Sequence, residues 1–348
     1  MALKNTSNKP IGVIGAGSFG TAIANILAAK NQTVMLYVRS DEKASKAEKE
    51  RSSAGQSLES NVHITKDIGE IGELCDLIFP MVPSENFRNM MQRLSPYLKP
   101  YHILIHGTKG FDLVSKGEIE ELTREHVKTM SEVIQEESSV VRVGCLAGPN
   151  LAREIADGKP AATVVASQFD EVVKNGQRLL KSDRFLIYGN SDLIGIELCG
   201  ILKNIIALGA GTVSGMGLGE NAKALFISRG LVEMVHIGKA MGGNVQAFLG
   251  LAGVGDLMAT CSSDFSRNFT VGRLLAQGMT IEKIMEEMEE TAEGVRTIEI
   301  IRKLANHYGI RCPITETLYR VIHGQTTVLE AHNYLMKFPF RAEIDFLD

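Results

Sequence analysis

The run Gly195–Gly211, GIELCGILKNIIALGAG, carries a single cation, Lys203, among apolar and small residues. Read as a helix, it sets Cys199, Gly200, Ile206 and Ala207 beside that lysine, at spacings of three and four. Ile196 and Ala210 lie one turn further out, and the nearest acid along the chain, Glu197, faces another way. No carboxylate shares the face. Such an ammonium group either stretches its stem to water or meets a partner from elsewhere in the fold. A buried lysine without a close anion loses basicity and becomes a proton donor and acceptor near neutral pH. The face by itself leaves both readings open.

Five other clusters have chemistry in them. GAGSFG spaces Gly15, Gly17 and Gly20 as G-x-G-x-x-G, with Ser18 and Phe19 inside the turn. It follows a strand-like run and opens a helical one, the context that dinucleotide binding requires. Gly15 permits the tight turn, Gly17 the approach of a pyrophosphate, and Gly20 close packing of helix on strand. The N–H groups at the helix start then face the phosphates. At the end of the second strand stands YVRSD, with Arg39 and Ser40 where an acid would read the ribose of NAD. A guanidinium there suits a 2′-phosphate, which favours NADPH beside NADH; the alternative is an Arg39 that stacks on adenine or faces water. HGTKG puts Lys109 just past the carboxyl end of a strand, and GVGDLMATC puts Asp256 in a turn of small residues. Ser266, Arg267 and Asn268 place a hydroxyl, a guanidinium and an amide side by side, a set suited to a phosphate. Each has a plainer reading: a solvated loop lysine, a helix cap before Leu257, a polar turn.

These residues need elements to hold them. Short β-rich runs at PIGVIGAG, Thr33–Val38, Leu77–Val82, YHILIHGTKG, RVGCLAGPN, AATVVAS and 184–189 alternate with helical patterns, the first with Phe19, Ile23, Ile26 and Leu27 on one face. Ser84, after Pro83, is placed to cap the helix that follows. The alternation predicts an α/β fold, with a Rossmann-like, doubly wound, mostly parallel sheet. Past Ser191 long helical patterns take over, as in 220–241 and 280–290. The expected division is a dinucleotide-binding domain over residues 1–190 and an all-helical substrate domain over 191–348. The polar stretch Arg51–Ser60 reads as a surface loop.

Composition narrows the class. A chain of 348 residues, 44% hydrophobic and 22% charged, is ordinary globular material for about two domains. A net charge of −4 and a pI near 6.1 give no overall attraction to nucleic acid or to an anionic membrane. Cys75, Cys145, Cys199, Cys261 and Cys312 form no C-x-x-C, and the eight histidines form no ligand pattern. The expectation is free thiols in a reducing, cytoplasmic setting, without a metal. MALKNTSNK runs into the first strand without an apolar signal region. The uncharged run Asn204–Gly219 is too short and too glycine-rich for a membrane span.

GAGSFGTA, GTKG, AGPNLARE, LKNIIALGAG, GLGENAKALFISRGLVEM, GLAGVGDLMATC, SRNFTVG, AEGVRT and CPITE occur in that order from Ile11 to Pro339. In these motifs the chain closely resembles the bacterial-type NAD(P)-dependent glycerol-3-phosphate dehydrogenases. The resemblance implies NADP(H) and/or NAD(H) as cofactor, and dihydroxyacetone phosphate and sn-glycerol 3-phosphate as substrates. It implies the reducing direction, toward phospholipid synthesis. It makes Lys203 the proton donor and acceptor, Lys109 an electrostatic helper beside substrate and cofactor, and Asp256 a substrate-side acid able to pair with Lys203. Ser266, Arg267 and Asn268 match the phosphate end of the substrate site, with Arg267 also toward the cofactor. Gly148 and Asn150 match a further substrate loop, where many relatives carry a hydroxyl residue in place of Asn150. Ala152, Thr291 and Glu293 match cofactor contacts, which sets the nicotinamide between the domains. Spare apolar surface on the helical domain allows a homodimer. Two rival readings are another Rossmann-plus-helical dehydrogenase, of the β-hydroxyacid type, and a non-catalytic NADPH-sensing protein.

Overall fold

The computed structural model describes residues 9–114, 122–288 and 292–339. The alternation expected from the sequence is present. Strand β1 (Ile11–Ile14) leads into α1 (Ser18–Ala28), and β2 (Val34–Tyr37) into α2 (Asp41–Glu50). A two-stranded hairpin, β3 (Ser52–Ser53) and β4 (Gln56–Ser57), precedes β5 (Val62–Thr65) and α3 (Ile68–Leu74). β6 (Leu77–Pro80) feeds α4 (Ser84–Leu94), and β7 (Ile103–His106) is followed by the short pair β8 (Asp112–Leu113) and β9 (Val127–Lys128) and by α5 (Met130–Glu137). β10 (Arg142–Ala147), α6 (Ala152–Ala156), β11 (Ala161–Ala166), α7 (Asp170–Leu180) and β12 (Phe185–Asn190) complete the sheet region.

The main sheet has eight strands in the order β12-β11-β10-β7-β6-β1-β2-β5. All neighbours run parallel except β10 and β11. This is a Rossmann-type sheet, and the side-chain period shows why it forms. Successive residues point to opposite faces. On β1, β6 and β7, Val13, Phe79 and Ile105 enter one core, while Ile14, Ile78 and Leu104 enter the other. A strand buried on both faces needs a continuous apolar run, which these are. Order reverses between β1 and β6, so the ligand crevice lies outside their carboxyl ends. The turns after β1, β2, β6, β7 and β10 all open at that edge, carrying the glycine loop, Arg39, Ser84, Lys109 and Gly148.

Beyond Asn190 the described residues hold no strand. Helices α8 (Leu193–Gly215), α9 (Gly219–Ala240), α10 (Val245–Leu249), α11 (Asp256–Cys261), α12 (Arg267–Ala276), α13 (Ile281–Glu287), α14 (Glu293–Tyr308), α15 (Pro313–Ile322) and α16 (Val328–Lys337) make a helical domain, and a π-turn over Leu251–Gly255 precedes α11. Asp192 caps α8 by accepting from the Gly195 N–H at 2.9 Å. Every residue of α8 from Gly195 to Val213 is buried, so it is the central rod of the domain, with the other helices laid round it. It is long and apolar enough to cross a membrane, but 94% of its most apolar window is buried inside the protein. Small residues let α12 ride directly on it: a Cβ on Gly272 would fall 1.8 Å from the Leu208 carbonyl oxygen. That crossing fixes the start of α12, with Ser266–Asn268, against α8.

Two local expectations are corrected. Arg51–Ser60 is not a featureless loop, because it contains the β3–β4 hairpin. Ser84 does not cap α4 through its own side chain: its N–H and hydroxyl both donate to Glu293, at 3.1 and 2.6 Å. The cap comes from the helical domain.

Candidate active site

The glycine turn fits a dinucleotide. Gly15 has φ +115°, a conformation that side chains resist. A Cβ on Gly20 would lie 1.9 Å from the Gly15 carbonyl oxygen, so helix and strand could not close on each other with any other residue. Nothing lies within 4 Å of a Gly17 Cβ, which leaves the backbone approachable. No side chain caps α1 and no acid stands in its first turn, so its N-terminal N–H groups and positive dipole end suit an anion. Phe19 packs beside Gly107, at the end of β7. Arg39 is exposed at the end of β2, where Nη1 meets Asn86 Oδ1 of α4 at 3.5 Å. It stands apart from the lysine cluster described next.

Asp256, in the first turn of α11, joins two lysines that are far apart in sequence. Its Oδ1 accepts from Lys203 Nζ at 2.7 Å and its Oδ2 from Lys109 Nζ at 2.7 Å. Lys203 also donates to Thr260 Oγ1 at 2.5 Å, and the Thr260 hydroxyl lies 2.6 Å from the Asp256 carbonyl oxygen. Lys109 also donates to the Gly148 carbonyl at 3.1 Å. The stem of Lys109 runs over Gly200, where a Cβ would lie 3.3 Å from its Cγ. Gly200 is one turn before Lys203, so the gap it leaves lets the second lysine descend beside the first. The partner missing from the α8 face is thus supplied from α11.

Burial, with relative exposures of 6% for Lys203 and 2% for Asp256, decides the charges. It lowers the Lys203 pKa to about 8; the Asp256 carboxylate opposes the fall and the Lys109 ammonium adds to it. Burial pushes the Asp256 carboxyl up, but the Lys109 and Lys203 ammonium groups outweigh it and hold Asp256 below the usual carboxylate range. Lys203 is therefore poised close to neutrality, beside a fixed anion.

The remaining residues named from the sequence gather round this centre unevenly. Ser266 is the N-cap of α12, its side chain accepting from Phe269 N–H at 3.3 Å. Arg267 is exposed at the first helical position. Asn268 Oδ1 accepts from Gly294 N–H at 2.9 Å, and Gly294 lies against the Asn204 carbonyl, next to Lys203. This ties the starts of α12 and α14 to α8. Glu293 faces Ser84 and lies against Gly110, beside Lys109. Gly148 has φ +145°, and Asn150 turns its Nδ2 to Thr163 at 2.8 Å while its buried Oδ1 has no partner among the described residues. Ala152 opens α6, where the neighbouring Arg153 lies over the Phe265 ring at 5.0 Å. Thr291 lies outside the described residues. Thr260 was missed by the sequence reading, although its place four residues after Asp256 puts both on one helical face.

Residues 10–173 match the family described as NAD-dependent glycerol-3-phosphate dehydrogenase N-terminus, and residues 192–333 its C-terminus. The chain is 36% identical over 344 residues to glycerol-3-phosphate dehydrogenase (NAD(P)+) of Teredinibacter turnerae, with 98% of each chain covered. It is 39% identical over 340 residues to the enzyme of that name from Geobacter metallireducens, covering 96% of this chain and 98% of the relative. The crystal structure of glycerol-3-phosphate dehydrogenase from Coxiella burnetii is similar with a TM-score of 0.86 at 31% identity, covering 95% of this chain and 99% of that one.

Proposed function

The chain belongs to the NAD-dependent glycerol-3-phosphate dehydrogenase family, and from that premise we propose that it interconverts dihydroxyacetone phosphate and sn-glycerol 3-phosphate with Lys203 as proton donor and acceptor. The observation that carries this reading is the buried Lys203–Asp256–Lys109 chain. An ammonium group has three N–H bonds, and Asp256 and Thr260 take two of those on Lys203. The third serves the carbonyl oxygen of the ketone. As negative charge builds on that oxygen, Lys203 stabilises it and then releases a proton to it. In oxidation the neutral amine takes the hydroxyl proton. Lys109 adds a second positive charge to the cleft, and Asp256 keeps the two lysines from driving each other apart. Bound NAD(P)H supplies the hydride in reduction, and NAD(P)+ accepts it in oxidation.

Gly15, Gly17, Ser18, Phe19, Gly20, Arg39, Lys109, Ala152, Arg267, Thr291 and Glu293 are the residues we assign to the cofactor. Ser266, Arg267 and Asn268 are assigned to the substrate phosphate, and Gly148 and Asn150 to a further substrate loop. A guanidinium at the first position of α12 opposes the helix dipole, a placement that an anion at the same end would repay. We divide the chain after residue 190 into a cofactor domain and a substrate domain. The five buried free cysteines support a cytoplasmic setting, and exposed Leu218 and Leu225 on the helical domain support a homodimer.

Loss of nicotinamide absorbance with dihydroxyacetone phosphate is the test. Lys203→Met is expected to lower kcat by about 10²–10⁴-fold while folding normally. Full activity in that variant, or turnover of a carboxylate-ended hydroxyacid with none of dihydroxyacetone phosphate, overturns the reading. The same assay examines Arg39: Arg39→Asp is expected to raise KM for NADPH far more than for NADH, and an unchanged ratio removes its role.

A further inference from the structure

The β3–β4 hairpin grips the glycine-rich turn. Ser53 Oγ donates to the Ala16 carbonyl at 3.0 Å, and Gln56 Nε2 donates to the Ser18 carbonyl at 2.8 Å. The hairpin is itself anchored on both sides. Asn25 of α1 donates from Nδ2 to the Ser57 carbonyl at 2.7 Å and accepts at Oδ1 from Glu59 N–H at 3.2 Å. Arg51 donates to the Val62 carbonyl at 2.9 Å and to the Glu59 carbonyl. Arg51, Ala54 and Gly55 all take left-handed backbone, with φ of 49°, 46° and 74°, and so form the tight bends that turn the chain back.

A trans peptide is planar, so its carbonyl and N–H point in opposite directions. A hydroxyl that holds the Ala16 carbonyl toward the hairpin therefore aims the Gly17 N–H away from it, into the anion cradle. Were that peptide free to flip, a carbonyl oxygen would face the pyrophosphate and repel it. Gln56 restrains the Ser18 carbonyl two residues on, on the first residue of α1. The geometry points to Ser53 and Gln56 as positioning residues that hold the dinucleotide turn in its anion-binding form. The inference rests on the cofactor site proposed above and concerns the phosphates that NADH and NADPH share. It therefore differs from the part given to Arg39, which separates the two cofactors.

The test compares Ser53→Ala, Gln56→Ala and the double variant with the wild-type chain, measuring Kd and KM for both dinucleotides and kcat and KM for dihydroxyacetone phosphate. One net hydrogen bond corresponds to about fivefold in affinity. Each single variant is expected to weaken NADH and NADPH alike by about that factor, with kcat, the substrate KM and the melting temperature unchanged. Ser53→Thr, which keeps the hydroxyl, restores the wild-type constants. Unmoved cofactor constants in the double variant overturn the inference. So does a loss confined to one cofactor, or one matched by an equal fall in melting temperature. A wild-type chain that binds both dinucleotides but leaves dihydroxyacetone phosphate untouched sinks the proposed reaction while leaving this inference standing.

Discussion

In the proposed reaction Lys203 is an acid in one direction and a base in the other, so its pKa governs both. Burial brings it down to about 8, and Asp256 keeps it from falling further. On that proposal the protonated form serves ketone reduction. Hence kcat/KM for reduction is expected to decline as pH rises through about 8, and kcat/KM for oxidation to climb over the same interval. Asp256→Asn removes the anion that opposes burial and leaves the repulsion from Lys109. The reduction profile of that variant is expected to break at a lower pH, with turnover reduced and NADPH binding largely kept. Leaving two cations facing each other in a buried site also costs stability, by about 3–5 kcal/mol on the scale of a broken buried pair. Matched pH–rate profiles of the two proteins would separate Asp256 from the proton step, and urea titration reads the stability loss.

At the scale of elements, the two lysines sit on separate carriers. Lys109 follows β7 and Lys203 lies within α8, so the distance between them depends on how strand and helix are locked. A buried link does this: His106 Nε2 at the end of β7 meets Glu197 Oε1 of α8 at 2.9 Å, and Ser131 N–H of α5 donates to the same oxygen at 3.0 Å. Glu197→Ala is expected to lower kcat as well as stability, because His106 and the Ser131 N–H lose the carboxylate that ties β7 and α5 to α8. Glu197→Gln, which keeps an acceptor, is expected to hold most of the turnover. Rates measured well below the melting point of both variants decide this: full kcat in Glu197→Ala would reduce the link to packing. Elements of this kind were legible where apolar residues run nearly unbroken. The short apolar runs of β1, β6 and β7 and the mostly apolar α8 could be read directly. β5 could not, since a four-residue edge strand with an exposed His63 carries little signal. The hairpin at Ser52–Ser57 and the cap of α4 were illegible for a different reason: both depend on partners distant in sequence, Ala16 and Ser18 for one and Glu293 for the other.

For the whole molecule the same limit applies to the site. Lys109, Lys203 and Asp256 were each nameable from local context, but a carboxylate with one lysine on each oxygen is a property of the folded cleft. Glu293 shows this most clearly. From sequence it is one acid before a helix; in the fold it crosses from α14 to the start of α4, and Gly110 leaves it room, since a Cβ there would lie 2.6 Å from its Oε2. It therefore joins the two domains at the mouth of the crevice, and its removal tests both the joint and the cofactor site. A ligand at a hundredfold excess over its Kd stabilises the folded chain by about 2.7 kcal/mol. If Glu293→Ala weakens NADPH tenfold, the same concentration gives only about 1.4 kcal/mol. Scanning calorimetry of the variant is thus expected to show a lower melting temperature without cofactor and a smaller rise on adding NADPH. A lower starting point with an undiminished rise would leave Glu293 as a clasp between domains and remove it from the cofactor site.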